Sequence, residues 1–401
     1  MVDSGHDARH PPPRGRAVSA DDPLAAALAA AALTGVRPGE SAPAEPVPTQ
    51  APDKEPPDPP ARWPDGTATG VGSMPGTDPR EAAAIVAGEL PVLTALPELP
   101  ARGVGADMIG RTAGLLVDIA VEVVPSAYRV TPRPGREQRR AVDLLRTDLD
   151  AFDEALDAAA PPWVKVQAAG PWTLAASVEL HYGHKVLTDR GAVREFAASL
   201  TEGLRTHIAE VASRTGAAVL LQLDEPSLPA VLAGRIPTPS GYGTVRAVSE
   251  TAAADVLREL VAAVGGALAV HCCADRPPLG MLGTIGAVAL GVDATLPSVA
   301  GRTASPAALD AFGAVWDAGT PLLLGMVPAR DPGGRPTTRA LARTAFDLAD
   351  RLGFDRVRLA HLAIPTPTCG LAGADPAWGR RALTLCRELG EAFVDPPEER
   401  D

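Results

Sequence analysis

From Thr67 onward the chain alternates short apolar runs with longer segments whose apolar positions recur every three or four residues. The short runs predict strands and the longer ones helices, because side chains alternate faces along a strand and return to one face of a helix every 3.6 residues. Strands are expected near residues 67–73, 92–95, 127–130, 163–168, 218–223, 267–271, 287–293 and 321–326. A further candidate at 356–362 makes nine, one more than a closed barrel holds, so one is misassigned, with the second or third the first suspect. The clearest helix, over 191–215, places Phe196, Leu200, Leu204, Ile208 and Val211 on one stripe. Another over 249–264 repeats the pattern with Ala254, Leu257, Leu260 and Val261. Strand and helix alternating through residues 66–396 predict an α/β fold, a (β/α)8 TIM barrel with an insertion.

Residues 1–65 break this pattern. They hold 14 of the 42 prolines, mixed with Asp, Glu, Ala and Ser, and lack the apolar content to offset the entropy of ordering. A disordered leader with at most one short Ala-rich helix is expected there, and the true start codon is allowed to lie downstream. Its apolar run from Leu24 to Leu33 is too short to span a bilayer, and Asp21 and Asp22 stand where a secretory signal needs positive charge.

Composition narrows the partners. A net charge of −12 without any block of Lys or Arg argues against nucleic acid and anionic membranes, leaving a small molecule. Only 3% of residues are aromatic, so Ala, Val and Leu must fill the core. The four cysteines, Cys272, Cys273, Cys369 and Cys386, include an adjacent pair, a poor disulfide framework; a reducing cytoplasm is expected.

Two of these cysteines suggest metal chemistry. The strand at 267–271 ends in His271, Cys272 and Cys273. Side-chain alternation sends His271 and Cys273 to one face and Cys272 to the other, so a His-x-Cys pair bites one ion. Zinc takes four tetrahedral N or S ligands and leaves one for substrate at catalytic sites. Cys369, in TPTCGLAG, follows the strand expected at 356–362, and all strand C-termini of a barrel share one face. Asp293, ending the strand between them, is the natural fourth ligand. Each residue alone reads more readily as a core Cys or His. Together, at strand ends, they favour zinc. Cys386 stays with the core, and Cys272 is the fallback ligand.

The motifs GVGSMPGTDP, AGPWTLA, LLQLDEPSL, HCC and PTCGL, in this order, resemble the cobalamin-independent methionine synthases, specifically their C-terminal catalytic barrel and its stand-alone relatives. The resemblance spans nearly everything after residue 66. It implies zinc on His271, Cys273 and Cys369, with Asp293 standing where the family has Glu. It implies that Asp224 takes the amino group of an amino-acid thiol, that Gly72 and Ser73 contact its carboxylate, and that Glu98 is a second ammonium partner. The implied activity is transfer of a methyl group to homocysteine or a similar thiol held as zinc thiolate, giving methionine. Read from its position alone, Asp224 meets either a ligand or a helix N-terminus. The chain departs from the folate-dependent members in having one barrel and in carrying GMVPARD where they have Asp-x-His-Ser-Pro. The methyl donor therefore stays open between methyltetrahydrofolate, a corrinoid and another carrier. Two alternatives remain: a barrel that binds zinc or thiol without turnover, and a metal-free enzyme like uroporphyrinogen decarboxylase.

Three further features complete the expectations. His181, Tyr182, His184 and Lys185 read as a solvated loop before they read as a lid. Trp172 reads as a stacking platform or as core, and His361 as a second-choice ligand near Cys369.

Overall fold

A computed structural model describes residues 62–395 apart from Ser126, Ala158 and Arg302, so nearly all of the expected leader lies outside the described residues. After an extended segment at 67–74, helix α1 (Pro79–Glu89) leads to strand β1 (Leu93–Ala95) and helix α2 (Met108–Ala113). A hairpin of β2 (Ala120–Val124) and β3 (Ala127–Thr131) precedes α3 (Arg136–Leu156). Next come β4 (Trp163–Ala169), α4 (Pro171–Ser177), the two-residue β5 (Val178–Glu179) and α5 (Arg190–Thr215). They are followed by β6 (Ala218–Asp224), α6 (Leu228–Leu232), α7 (Glu250–Val264), β7 (Ala267–Cys272) and α8 (Leu279–Leu282). The chain ends through β8 (Ala289–Asp293), α9 (Pro306–Asp317), β9 (Leu322–Val327), α10 (Thr338–Leu352), α11 (Leu359–Leu362), β10 (Ala363–Pro367) and α12 (Pro376–Val394).

Seven strands form one curled parallel sheet in the order β1-β4-β6-β7-β8-β9-β10. The segment at 67–74 lies between its two edges. Thr69 N–H donates to Pro365 O at 3.2 Å on the β10 side, and Thr69 Oγ1 donates to Leu93 O at 2.9 Å on the β1 side. Ser73 and Glu98 make a parallel bridge at the same seam. Eight positions therefore complete the (β/α)8 ring, the first of them irregular.

Two apolar cores follow from this closure. The larger fills the space between sheet and helices and takes Val164, Val166, Leu221, Leu223, Val270 and Val292 from the outward faces of the strands. The smaller gathers Trp63, Leu93, Trp163, Leu220, Ala269, Ala289, Leu323 and Ile364 from the inward faces, the packed interior of a barrel. Helix starts follow local chemistry: Asp189, Ser249, Ser305, Thr337 and Asp375 each cap a helix by accepting a backbone N–H.

Two strand expectations change. The run at 127–130 becomes β3 in a separate three-stranded sheet, β2-β3-β5, and is the supernumerary candidate. The run at 356–362 is helical, a 3-10 turn followed by α11, and the strand begins only at Ala363. Among the described residues, no helix is long and apolar enough to cross a membrane.

Candidate active site

β6 and β7 pair in parallel with Asp224 opposite His271, so both side chains rise at the C-terminal end of the ring. His271 Nδ1 donates to Asp224 Oδ1 at 2.8 Å. The same oxygen accepts from Gln222 Nε2 at 2.8 Å, and no bond to Oδ2 is formed among the described residues. Asp224 bonds no helix N–H, which removes the capping alternative. With its proton on Nδ1, His271 carries its lone pair on Nε2, a buried atom without a hydrogen-bond partner. Gly291, beside His271 on β8, makes room for the ring: a Cβ there would lie 2.8 Å from His271 Cδ2.

Beyond the end of β7, Cys273 Sγ lies 3.4 Å from Cys369 Sγ in the loop after β10. All four cysteines are free thiols. Hydrogen bonding to Cys273, helped by the Gly370 N–H, lowers the Cys369 thiol despite burial. The Cys273 thiol, which shares the proton and is partly buried, moves strongly upward. Cys272 is fully buried and points the other way, as alternation predicts, and Cys386 is buried in the core on α12. Burial pushes Cys272 up to about 12, which suits an inert thiol.

The segment at 67–74 reaches the same place. Leu371 N–H donates to Ser73 O at 2.8 Å, and Gly370 passes so close that a Cβ on it would lie 2.0 Å from Ser73 Oγ. Gly72 sits against Gln167, with φ of 151°. Glu98, bridged to Ser73, is buried, and desolvation raises its carboxyl to about 7 against the pull of Arg111. Arg111 Nε stands 3.6 Å from Glu98 Oε1 and also pairs with Asp148.

The structure thus gathers Gly72, Ser73, Glu98, Asp224, His271, Cys273 and Cys369 at one end of the ring. Asp293 ends β8, and its Oδ1 accepts from Thr295 N at 2.9 Å and from Thr295 Oγ1 at 2.6 Å. Among the described residues, no three His, Cys, Asp or Glu side chains surround one point as a ready-made metal site. The donor set still suits zinc in kind: two thiols side by side and an imidazole nitrogen with nothing to bind. Two thiolates sharing a tetrahedral zinc at 2.3 Å would be about 3.8 Å apart, close to the observed separation.

His361 is placed far from this cluster. It precedes β10 rather than following a strand, and its Nδ1 bonds Asp65 Oδ1 at 2.9 Å at the opposite end of the ring. Trp172 is core, with Nε1 donating to Ala253 O at 3.2 Å. Tyr182 is exposed between the rings of His181 and His184, a surface loop. A groove of about 1010 Å³ between α5 and α7 is lined by Trp172 but by none of the residues expected to bind metal or substrate. Donor atoms, not cavity volume, locate the chemistry.

Sequence reasoning passed over three polar residues. Glu225 is fully buried and accepts from Trp172 N, Thr173 N and Thr173 Oγ1 at 2.7–2.9 Å, tying β6 to the start of α4. Lys165 and Gln222 face the barrel interior and bond each other at 2.8 Å. Their signal was present: polar residues in otherwise apolar strands, in phase with Asp224.

No curated relative matches the sequence. Among solved structures, a B12-independent methionine synthase from Shewanella sp. W3-18-1, in complex with selenomethionine, is similar at a TM-score of 0.50 and 12% identity, covering 82% of this chain and 97% of that one. A methyltransferase from Methanosarcina mazei is similar at a TM-score of 0.47 and 16% identity, covering 82% of this chain and 95% of that one. At 12% identity the likeness to the first of these speaks for the fold alone. The sequence profile described as the cobalamin-independent synthase catalytic domain matches residues 66–392, and the chain belongs to that family of methionine synthase-like methyltransferases.

Proposed function

We propose that the chain is a zinc-dependent S-methyltransferase that activates homocysteine, or a similar small thiol, and converts homocysteine to methionine. The observation that carries this reading is the unpartnered, buried Nε2 of His271, its tautomer set by Asp224, at the same end of the ring as the Cys273 and Cys369 thiols, which are bonded only to each other. A metal-ligating histidine characteristically donates its other nitrogen to a carboxylate. His271 Nε2, Cys273 Sγ and Cys369 Sγ would hold the ion. Zinc bound there supplies the charge that removes the substrate thiol's proton near neutral pH.

The chain's own groups do the rest. Asp224 keeps Oδ2 for the substrate ammonium while Oδ1 holds His271. Glu98 adds a second acceptor, and Ser73 with the Gly72 backbone receives the carboxylate. The substrate sulfur attacks the donor's methyl carbon in line, forming the S–CH₃ bond as the donor–CH₃ bond breaks, and no covalent protein intermediate is needed. A cytoplasmic setting suits thiols that must stay reduced.

The test is zinc per chain in wild type, Cys273→Ser and Cys369→Ser, followed by homocysteine titration and a panel of folate, corrinoid and other methyl donors. About one zinc in wild type, sharply less in both variants, and thiol-dependent turnover with one donor are expected. A wild-type protein that takes up no zinc overturns the reading. Zinc without thiol binding favours a barrel that binds metal without turnover.

A further inference from the structure

Gln167 carries an atom that nothing in the barrel accounts for. It lies on β4 and is 3% exposed. Its Nε2 donates to Lys165 O at 3.2 Å, whereas its Oε1 is buried and has no hydrogen-bond partner among the described residues. The amide direction follows from its neighbour: Lys165 O only accepts, so the NH₂ must face it, and a flipped amide would press oxygen against oxygen. The atom left over is therefore an acceptor. A buried acceptor costs stability until a donor reaches it.

The amide sits between the groups expected to hold the amino-acid end of the substrate. Gly72 lies against it, where a Cβ would be 3.1 Å from Gln167 Cδ and 3.2 Å from Oε1. Gly72 O in turn accepts from Glu98 N–H at 3.2 Å. On the other side, Gln167 stands opposite Gln222 on β6, and Asp224 is the next inward residue along that strand. Asp224 keeps Oδ2 free, and the Glu98 carboxylate has only Arg111 beside it, at 3.6 Å. Three oxygens without a hydrogen-bond donor thus come from neighbouring segments of the ring.

We propose that Gln167 is a further substrate-binding residue, its Oε1 accepting one N–H of the substrate ammonium beside Asp224 and Glu98, and that it selects amino-acid thiols over thiols without the amino group. A primary ammonium has three donors and no acceptor. Two carboxylates serve two of them, and the third needs another oxygen. A neutral amide suits that place. Burial, with the charge of Asp224 adding to it, already raises the Glu98 carboxyl, and a third carboxylate would increase the repulsion. Packing does not explain the residue, because a methionine of similar length would fill the same space without burying an unpaired oxygen. A residue kept for packing alone would be improved by that exchange.

The assignment rests on the function proposed above, so it is tested by binding as well as by turnover. Calorimetric titration of the full chain, with zinc supplied, compares L-methionine with 4-(methylthio)butanoate, the same molecule without its amino group. In Gln167→Met the Kd for methionine should rise about tenfold or more, while the Kd for the desamino ligand stays nearly unchanged and the thermal midpoint holds or rises. Gln167→Asn, which draws the oxygen back by one methylene, should show the same selective loss and covers the case in which Gln167→Met fails to fold. KM for homocysteine should rise in parallel. Wild-type methionine binding in both variants, or equal losses for the two ligands, overturns the proposal, as does a wild type that does not prefer methionine. A selective loss of methionine binding without any thiol methylation in wild type would sink the function instead and leave Gln167 assigned.

Discussion

The contact between Gly370 and Ser73 gives the sharpest test of where the substrate carboxylate sits. In Gly370→Ala the new Cβ would lie 2.0 Å from Ser73 Oγ but 3.3 Å from Ser73 Cβ. Real carbon–oxygen contacts do not approach 2.0 Å, so the hydroxyl must leave. Rotation about χ1 is enough, because the Cβ–Cβ distance is tight without being prohibitive. The cost to folding is that of an unfavourable side-chain angle, about 0.5–1.5 kcal/mol. The cost to binding is larger: a hydroxyl bond to a charged carboxylate contributes about 1.5–3 kcal/mol, which is about ten- to a hundredfold in KM. Thermal unfolding, zinc content and steady-state kinetics with homocysteine should therefore show a small drop in Tm, unchanged zinc and a raised KM. Ser73→Ala should match it, and the double variant should be no worse than either, since both remove one interaction. Additive effects, or a wild-type KM in Gly370→Ala beside a raised one in Ser73→Ala, would refute the reasoning.

Three other expectations follow from the surroundings of single residues. In Gly291→Ala, a Cβ 2.8 Å from His271 Cδ2 should tilt the ring and weaken zinc binding by about tenfold or more, read by competition with a chelator. Burial raises the Glu225 carboxyl to about 7, opposed by bonds from Thr173 and the Trp172 N–H. A raised folded value means stability that is complete below the unfolded value of 4.5 and is lost as pH rises through 7. Glu225→Gln should flatten that decline, by at most about 3 kcal/mol, in denaturant titrations at pH 4.5 and 7.5. His361→Ala should leave zinc content and turnover at wild-type values, because its bond to Asp65 lies at the far end of the ring; a loss of zinc there would refute that placement.

Five strands, β4 and β6 through β9, were legible within a residue or two because long apolar runs bounded by capped helices leave little choice. β10 was missed for a physical reason. Arg356, Val357 and Leu359 read as a strand, but Asp355 accepts from Val357 N–H at 3.1 Å and starts a helical turn. The true strand, Ala363–Pro367, contains Pro365 and Pro367, residues that ordinarily argue against a central strand. They are tolerated because β10 pairs regularly only with β9 and meets the irregular segment at 67–74 on its other side. Cys369 still follows a strand, since the loop it occupies comes after β10 wherever that strand begins. Asp293 fits its expected strand end but bonds Thr295, two residues on, a local competition visible only in three dimensions.

The alternation that sends His271 and Cys273 to one face also accounts for the layer beneath them. The inward positions run Trp163, Lys165, Gln167 on β4, Leu220, Gln222, Asp224 on β6, and Ala269, His271 on β7. Read from the bottom of the ring upward, each series turns polar at the inward position just above the apolar cluster that holds Trp163, Leu220 and Ala269. A polar group below that height would face the apolar floor without a partner and destabilise the barrel. Above it, Gln222 and Lys165 find partners only in each other, in the backbone of Val71 and in Asp224. The interior polar layer is therefore explained by the site it supports rather than by the fold, which the same ring could form with apolar side chains. Glu98 and Arg111 extend that support sideways to Asp148 on α3. The proposed zinc binding and substrate orientation should thus be separable from barrel packing by substitution at successive inward positions along the same strands.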